Sequence, residues 1–147
     1  MIMKILISSC LLGFNTKYNG KNNLNKDLEK LKDKYEIIIF CPEQAGGLTT
    51  PRLPSEIQKD GRVLLKDSTD VTKNFIKGAE ETVRLVEMMD IKYAILKAKS
   101  PSCGCGKIYD GTFSGNLIDG DGFTVRELKK LGVKIFNENN FQEFFSV

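Results

Sequence analysis

The amino-acid sequence predicts an α/β protein, a Rossmann-like three-layer α/β/α sandwich on a mainly parallel sheet of four to five strands. Three observations predict it. Four short apolar runs, residues 4–8, 36–40, 93–97 and 134–136, are bounded by polar or turn residues, as strands are. Their near-continuous apolar character suits strands buried on both faces, the situation of a parallel sheet. Segments with helical periodicity separate them, and this alternation is the mark of right-handed crossover connections.

The apolar run from Met1 to Leu12 is short, carries a single Lys and leads into a cysteine and a turn, so it reads as a buried strand and not as a leader peptide. Leu24, Leu28 and Leu31 then recur at spacings of four and three, which predicts a first helix. The second apolar run, 36–40, is followed by a long connection over 42–69. A second helix places Phe75, Ala79, Val83 and Val86 on one face, after an Asp70-Val71-Thr72 start with capping character. The third run, 93–97, opens another long connection over 98–122. A third helix runs from Thr124 through Leu128 and Leu131, with Gly132 where a C-terminal cap belongs. The fourth run, 134–136, precedes a last short helix over 140–145. Both long connections are rich in Gly, Pro, Ser and Asp and exceed the length of idle loops, so function is expected in them.

The length of 147 residues is that of one domain, taken as residues 1–147, with 41% hydrophobic and 28% charged residues as in ordinary globular chains. The net charge of +3 comes from 22 basic and 19 acidic residues that are scattered, without the clusters of a nucleic-acid footprint. No stretch approaches the roughly 18 apolar residues of a membrane span. A soluble, cytoplasmic protein is expected, of open oligomeric state, a homodimer included. The chain has no histidine, which excludes Ser-His-Asp and Cys-His catalysis and mixed His/Cys zinc sites. Acid–base work then falls to Asp, Glu, Lys, Tyr or an assisted hydroxyl.

Cys10 follows the first strand by two residues, Cys41 ends the second, and Cys103 lies just beyond the third. In an open parallel sheet, catalytic groups gather outside the carboxyl ends of the strands, so three thiols are expected at one edge. A lone cysteine near a core strand is more often packing than chemistry. Cysteines placed together in polar, Gly- and Pro-rich turns are not explained that way. Disulfides are not expected in a cytosolic chain. The spacing matches neither paired zinc knuckles nor the clustered ferredoxin run. Taken alone, the geometry supports a soft-metal or thiolate site without choosing between them.

Six motifs then occur in order: Cys10-Leu11-Leu12-Gly13, Tyr18-Asn19-Gly20, Cys41-Pro42-Glu43 through Gly46-Gly47-Leu48 to Pro51-Arg52, Asp70-Val71-Thr72, Ser100-Pro101-Ser102-Cys103-Gly104, and Ile108-Tyr109-Asp110-Gly111-Thr112-Phe113-Ser114-Gly115. Across essentially the entire chain they resemble the thiouracil desulfidase family. The resemblance implies an enzyme that removes sulfur from thiolated pyrimidines such as 2-thiouracil, without net redox change. It implies a [4Fe-4S] cluster held by Cys10, Cys41 and Cys103, whose open iron takes the thiocarbonyl sulfur. It also implies acid–base roles for Ser100 and Glu43. Glu43 beside a partly buried cluster is expected to have a raised pKa.

Tyr109, Asp110 and Phe113 are candidate substrate contacts, the aromatic rings against a flat base and Asp110 on a ring nitrogen; a hairpin or tight turn accounts for the same segment equally well. Arg52 is expected to pair a carboxylate across the loops more readily than to meet an anionic substrate. Asn19 stands where the family often has Asp, and the extra Cys105 is taken as a free thiol. Two other readings remain: a cluster-free enzyme in which Cys103, at a helix start, is the nucleophile, and a metal or iron–sulfur sensor without catalysis.

Overall fold

A computed structural model describes residues Ile2 to Ser146; Met1, where the opening apolar run begins, and Val147, the end of the expected 1–147 domain, lie outside the described residues. The elements are β1 (Lys4–Ser8), α1 (Lys26–Glu29), β2 (Glu36–Phe40), α2 (Pro42–Ala45), β3 (Ser55–Ile57), β4 (Val63–Leu65), α3 (Thr72–Met89), β5 (Tyr93–Ile95), β6 (Lys107–Tyr109), β7 (Leu117–Asp119), α4 (Phe123–Lys130) and β8 (Lys134–Phe136). Short 3-10 turns cover Ser9–Leu12, Lys30–Asp33 and Phe141–Glu143.

The four strands expected from the apolar runs form one fully parallel sheet in the order β2-β1-β5-β8. Successive side chains of a strand point to opposite faces, and β1 divides the core accordingly. Leu6 packs with Val86, Leu96, Val125 and Leu128 beneath α3 and α4. Ile5 and Ile7 pack on the other face with Leu28, Leu31, Phe141 and Phe145. The α/β/α layering is therefore present. Its second outer layer is thin, made of α1, the turn after it and the C-terminal turn.

Four local expectations change. The first helix is a single α turn running into a 3-10 turn, because Asn25 caps it by accepting from the Asp27 and Leu28 amides at 3.0 and 3.1 Å, which leaves Leu24 ahead of the helix and exposed. At the start of α3 the cap position is held by Val71, and Asp70 instead accepts from the Thr72 amide and hydroxyl. The third strand stops at Ile95 because the Lys97 amide leaves the ladder to donate to the Ser8 hydroxyl at 3.0 Å. The last expected helix is only the turn Phe141–Glu143. Gly132 does follow α4 in a left-handed conformation, φ +80°, although Leu131 beside it is exposed.

Neither long connection is structureless. The first holds α2 and the antiparallel hairpin β3–β4, and the second holds the antiparallel hairpin β6–β7. The segment from Tyr109 to Gly115 is thus the bend of a hairpin, one of the two accounts of it offered by the sequence. Within the sheet, connections run from β1 outward to β2 and then back across to β5, so the topological switch point lies between β1 and β5. Ligand sites of open parallel sheets form at that point.

Candidate active site

Cys10 lies in the 3-10 turn that follows β1. Its carbonyl accepts from the Asn23 amide at 2.8 Å, and the Asn23 side chain donates to its Sγ at 3.5 Å. Cys41 caps α2, with Pro42 at the first helical position, where its fixed φ and missing N–H cost nothing. This short helix is pressed onto α3: a Cβ on Gly78 would come 2.2 Å from the Pro42 carbonyl oxygen, closer than any side chain tolerates. Cys103 sits in a turn closed by its own amide donating to Ser100 Oγ at 2.7 Å and by the Gly104 amide donating to the Ser100 carbonyl at 2.9 Å. The first amides of α4 clamp this turn from outside, Phe123 onto the Pro101 carbonyl and Thr124 onto that of Ser102. Gly122 is needed there, since a Cβ would lie 2.5 Å from Ser102 backbone atoms.

All three thiols line one cavity of about 480 Å³ at the carboxyl ends of β1, β2 and β5, together with Glu43, Ser100, Tyr109 and Phe113. One predicted candidate is not brought in, and the extra thiol lies apart as well. Asp110 does not line this cavity; its carboxylate accepts from the Thr112 amide and hydroxyl within the hairpin bend. Cys105, two residues past Cys103, packs instead against the core beneath α3 and α4. All four cysteines are free.

Burial pushes the Cys10 and Cys41 thiols up from 9.0, only partly offset by the hydrogen bond from Asn23 in the one and by the backbone amides of α2 in the other. Cys103, 5% exposed, is pushed up to about 12 by burial, despite hydrogen bonds from Ser102 and Ser8 to its sulfur. Thiols held neutral in this way become thiolates when a metal supplies the opposing charge. Among the described residues no three Cys, Asp or Glu side chains are placed to hold a single metal ion. Three thiols lining one cavity are the donor type that iron–sulfur clusters take.

The polar groups beside the thiols form a line. Ser102 Oγ donates to Glu43 Oε2 at 2.9 Å, Ser100 and Ser102 hydroxyls face each other at 3.4 Å, and Arg52 Nε donates to Glu43 Oε1 at 3.3 Å. The Glu43 and Arg52 side chains are only 15% and 7% exposed, and Arg52 also donates to the Thr16 and Thr49 carbonyls. Arg52 therefore pairs a carboxylate across the loops, the commoner of its two expected roles. On the far wall Lys97 pairs with Glu138 at 2.7 Å, and Glu138 accepts from the Ala98 amide at 2.8 Å.

Ser8, Asn23, Glu56 and Ser102 are among the lining residues that carried no sequence signal as site residues. Ser102 is the nearest to a legible one, standing inside Ser100-Pro101-Ser102-Cys103. Glu56 is buried and accepts from the amides of Gly111 at 3.0 Å and Phe113 at 3.1 Å, both through Oε1, so it holds the hairpin bend that carries Phe113 to the cavity.

The family model described as 2-thiouracil desulfurase matches residues 5–140. The chain belongs to the 2-thiouracil desulfurase family. Desulfurases are enzymes, and the family name states the chemistry: removal of sulfur from a thiolated pyrimidine. A solved structure described as the [4Fe-4S]-dependent thiouracil desulfidase TudS is similar at 40% identity, covering 96% of this chain and 94% of that one, with a TM-score of 0.89. The uncharacterized protein YbbK of Bacillus subtilis (strain 168) is 37% identical over 148 residues, covering 95% of this chain and 98% of YbbK. Among the described residues no helix is long and apolar enough to cross a membrane.

Proposed function

We propose that this member of the 2-thiouracil desulfurase family is an iron–sulfur-dependent enzyme that hydrolyses 2-thiouracil to uracil and sulfide without net redox change. The observation that carries the proposal is the meeting in one cavity of three free thiols with the Ser100–Ser102–Glu43 line. Cys10, Cys41 and Cys103 would hold a [4Fe-4S] cluster, the cofactor named for the similar TudS structure. Such a cluster, when bound by three thiolates, supplies an iron without a protein ligand, a soft Lewis acid for the thiocarbonyl sulfur.

The chain's own residues supply the proton handling. Water must lose protons as its oxygen replaces sulfur at the ring carbon, and the departing sulfur or a ring nitrogen must gain one. Glu43, held by Arg52, accepts a proton through Ser102, and Ser100 presents its hydroxyl to the reacting ring carbon and sulfur. The 3.4 Å contact between the two hydroxyls is long, as catalytic hydrogen bonds often are before substrate binds. Phe113 and Tyr109 cover the flat faces of the base. Cys103 as a cluster-free nucleophile is disfavoured, because its thiol is buried and neutral and it lies in a turn, not at a helix start. Residues 1–147 act as one domain in this reading, with a thiolated pyrimidine as partner in a cytoplasmic setting.

The test is sulfide release from 2-thiouracil by anaerobically reconstituted protein, with iron quantified in parallel. Cys10→Ser, Cys41→Ser and Cys103→Ser should each lose the cluster and all activity, whereas Cys105→Ser should keep both. Retention of a full cluster in Cys41→Ser would show that the ligand set is wrong. A loaded protein that releases no sulfide would favour a sensor.

A further inference from the structure

Glu56 is the one lining carboxylate left without a cation. The cavity's other lining carboxylate, Glu43, is paired with Arg52, but among the described residues Glu56 makes no ion pair, although it is only 8% exposed. Burying a carboxylate is costly unless its acceptor sites are filled. Here Oε1 is filled twice, by the Gly111 and Phe113 amides. Oε2 accepts nothing from the described residues, yet it is not sealed off as an orphaned buried atom; the buried Thr124 hydroxyl alone answers that description among them. One oxygen is thus fastened to the hairpin bend, and the other is left for something that enters the cavity.

We propose that Glu56 is a specificity-determining residue that accepts a ring N–H of the substrate through Oε2. This rests on the desulfuration reading for the identity of the reacting bond and adds the class of base that fits: a pyrimidine with a free ring N–H beside its thiocarbonyl. An acceptor at that position favours the thione tautomer, which carries hydrogen on that nitrogen and a C=S bond, over the thiol tautomer in which that hydrogen has moved to sulfur. It also disfavours bases substituted at that nitrogen, which leave a buried acceptor unfilled. Discrimination of this kind, set by an unpaired polar group in the wrong complex, is larger than an apolar pocket achieves.

The anchoring makes a sharp test available. In Glu56→Gln the Gly111 and Phe113 amides keep the amide oxygen where Oε1 lies, so the NH2 group is turned into the cavity. There it opposes the ring N–H, donor against donor. With reconstituted holoprotein, uracil affinity by titration calorimetry should fall about tenfold to a hundredfold in E56Q, and KM for 2-thiouracil should rise by a similar factor with kcat much less affected. Of 1-methyluracil and 3-methyluracil, one should bind wild-type protein about tenfold more weakly than uracil, and E56Q should lose most of that discrimination. A wild-type protein that binds uracil and both methyl derivatives alike overturns the proposal without any variant. So does an E56Q protein that binds uracil as tightly as wild type, or one weakened equally toward all three. Glu56-dependent uracil binding without sulfide release would instead sink the desulfuration reading alone.

Discussion

Ser100 does two jobs with one side chain. Its Oγ accepts the Cys103 amide at 2.7 Å, which shapes the cysteine turn, and it faces Ser102 at the head of the path to Glu43. Ser100→Ala should therefore keep most of its iron but lose kcat by about 10²- to 10⁴-fold, the usual worth of a positioned acid–base group; sulfide release normalised to bound iron separates the two effects. Cys103 gives a second prediction at this scale. Its folded pKa is raised to about 12 from 9.0, so in metal-free protein the neutral thiol is the form that the fold favours. Its contribution is fully present below the unfolded value and is lost as pH climbs through the folded one. The thermal midpoint of metal-free protein should fall above pH 9.0, and Cys103→Ala should flatten that fall. The three thiols were legible because each lies in a polar turn downstream of a recognisable strand. Glu56 was not, because nothing in Ser55-Glu56-Ile57 marks a carboxylate that meets a bend 55 residues away.

At the scale of elements, the site depends on how closely α2 and α3 approach. Gly78 has ordinary helical dihedrals, so alanine suits its backbone and even favours the helix; what it lacks is room against the Pro42 carbonyl. Gly78→Ala should cost about 1–3 kcal/mol by overpacking, read as a lower urea midpoint. By displacing the segment with Cys41 and Glu43 it should also weaken iron retention. The long helices were legible from their periodicity, and the sheet strands from apolar runs bounded by polar or turn residues. The hairpins β3–β4 and β6–β7 were not, because their short strands lie inside the Gly-, Pro-, Ser- and Asp-rich connections, whose composition reads as loop. The shortened first helix has a different cause: Leu24, Leu28 and Leu31 have helical spacing, but the Asn25 cap begins the helix after the first of them.

Across the whole molecule, stability and function are carried by different parts. β1 and β5 lie inside the sheet, and Ile5, Leu6, Ile7, Ala94 and Ile95 on them are essentially inaccessible. The hairpins that complete the cavity lie outside the sheet, and all three residues of β7 are exposed. Native-state hydrogen exchange should protect the β1 and β5 amides most, whereas the amides of β6–β7 should exchange through local opening at lower free energy. Substrate occupying the cavity should slow exchange at the Gly111 and Phe113 amides, which Glu56 holds.

The sequence by itself determined the parallel sheet, the buried face of the long second helix, the arrival of three thiols at one edge, and the exclusion of histidine chemistry. All of these follow from local periodicity, composition or motif order. Only the tertiary structure decided that Ser102 joins Ser100 to Glu43 across 59 residues, that Arg52 holds Glu43, that Asp110 is engaged within the hairpin bend, and that Glu56 lines the cavity while holding that bend. Such contacts are directional and act over about 3 Å. They arise from where loops cross once the core has packed, and no local pattern records that.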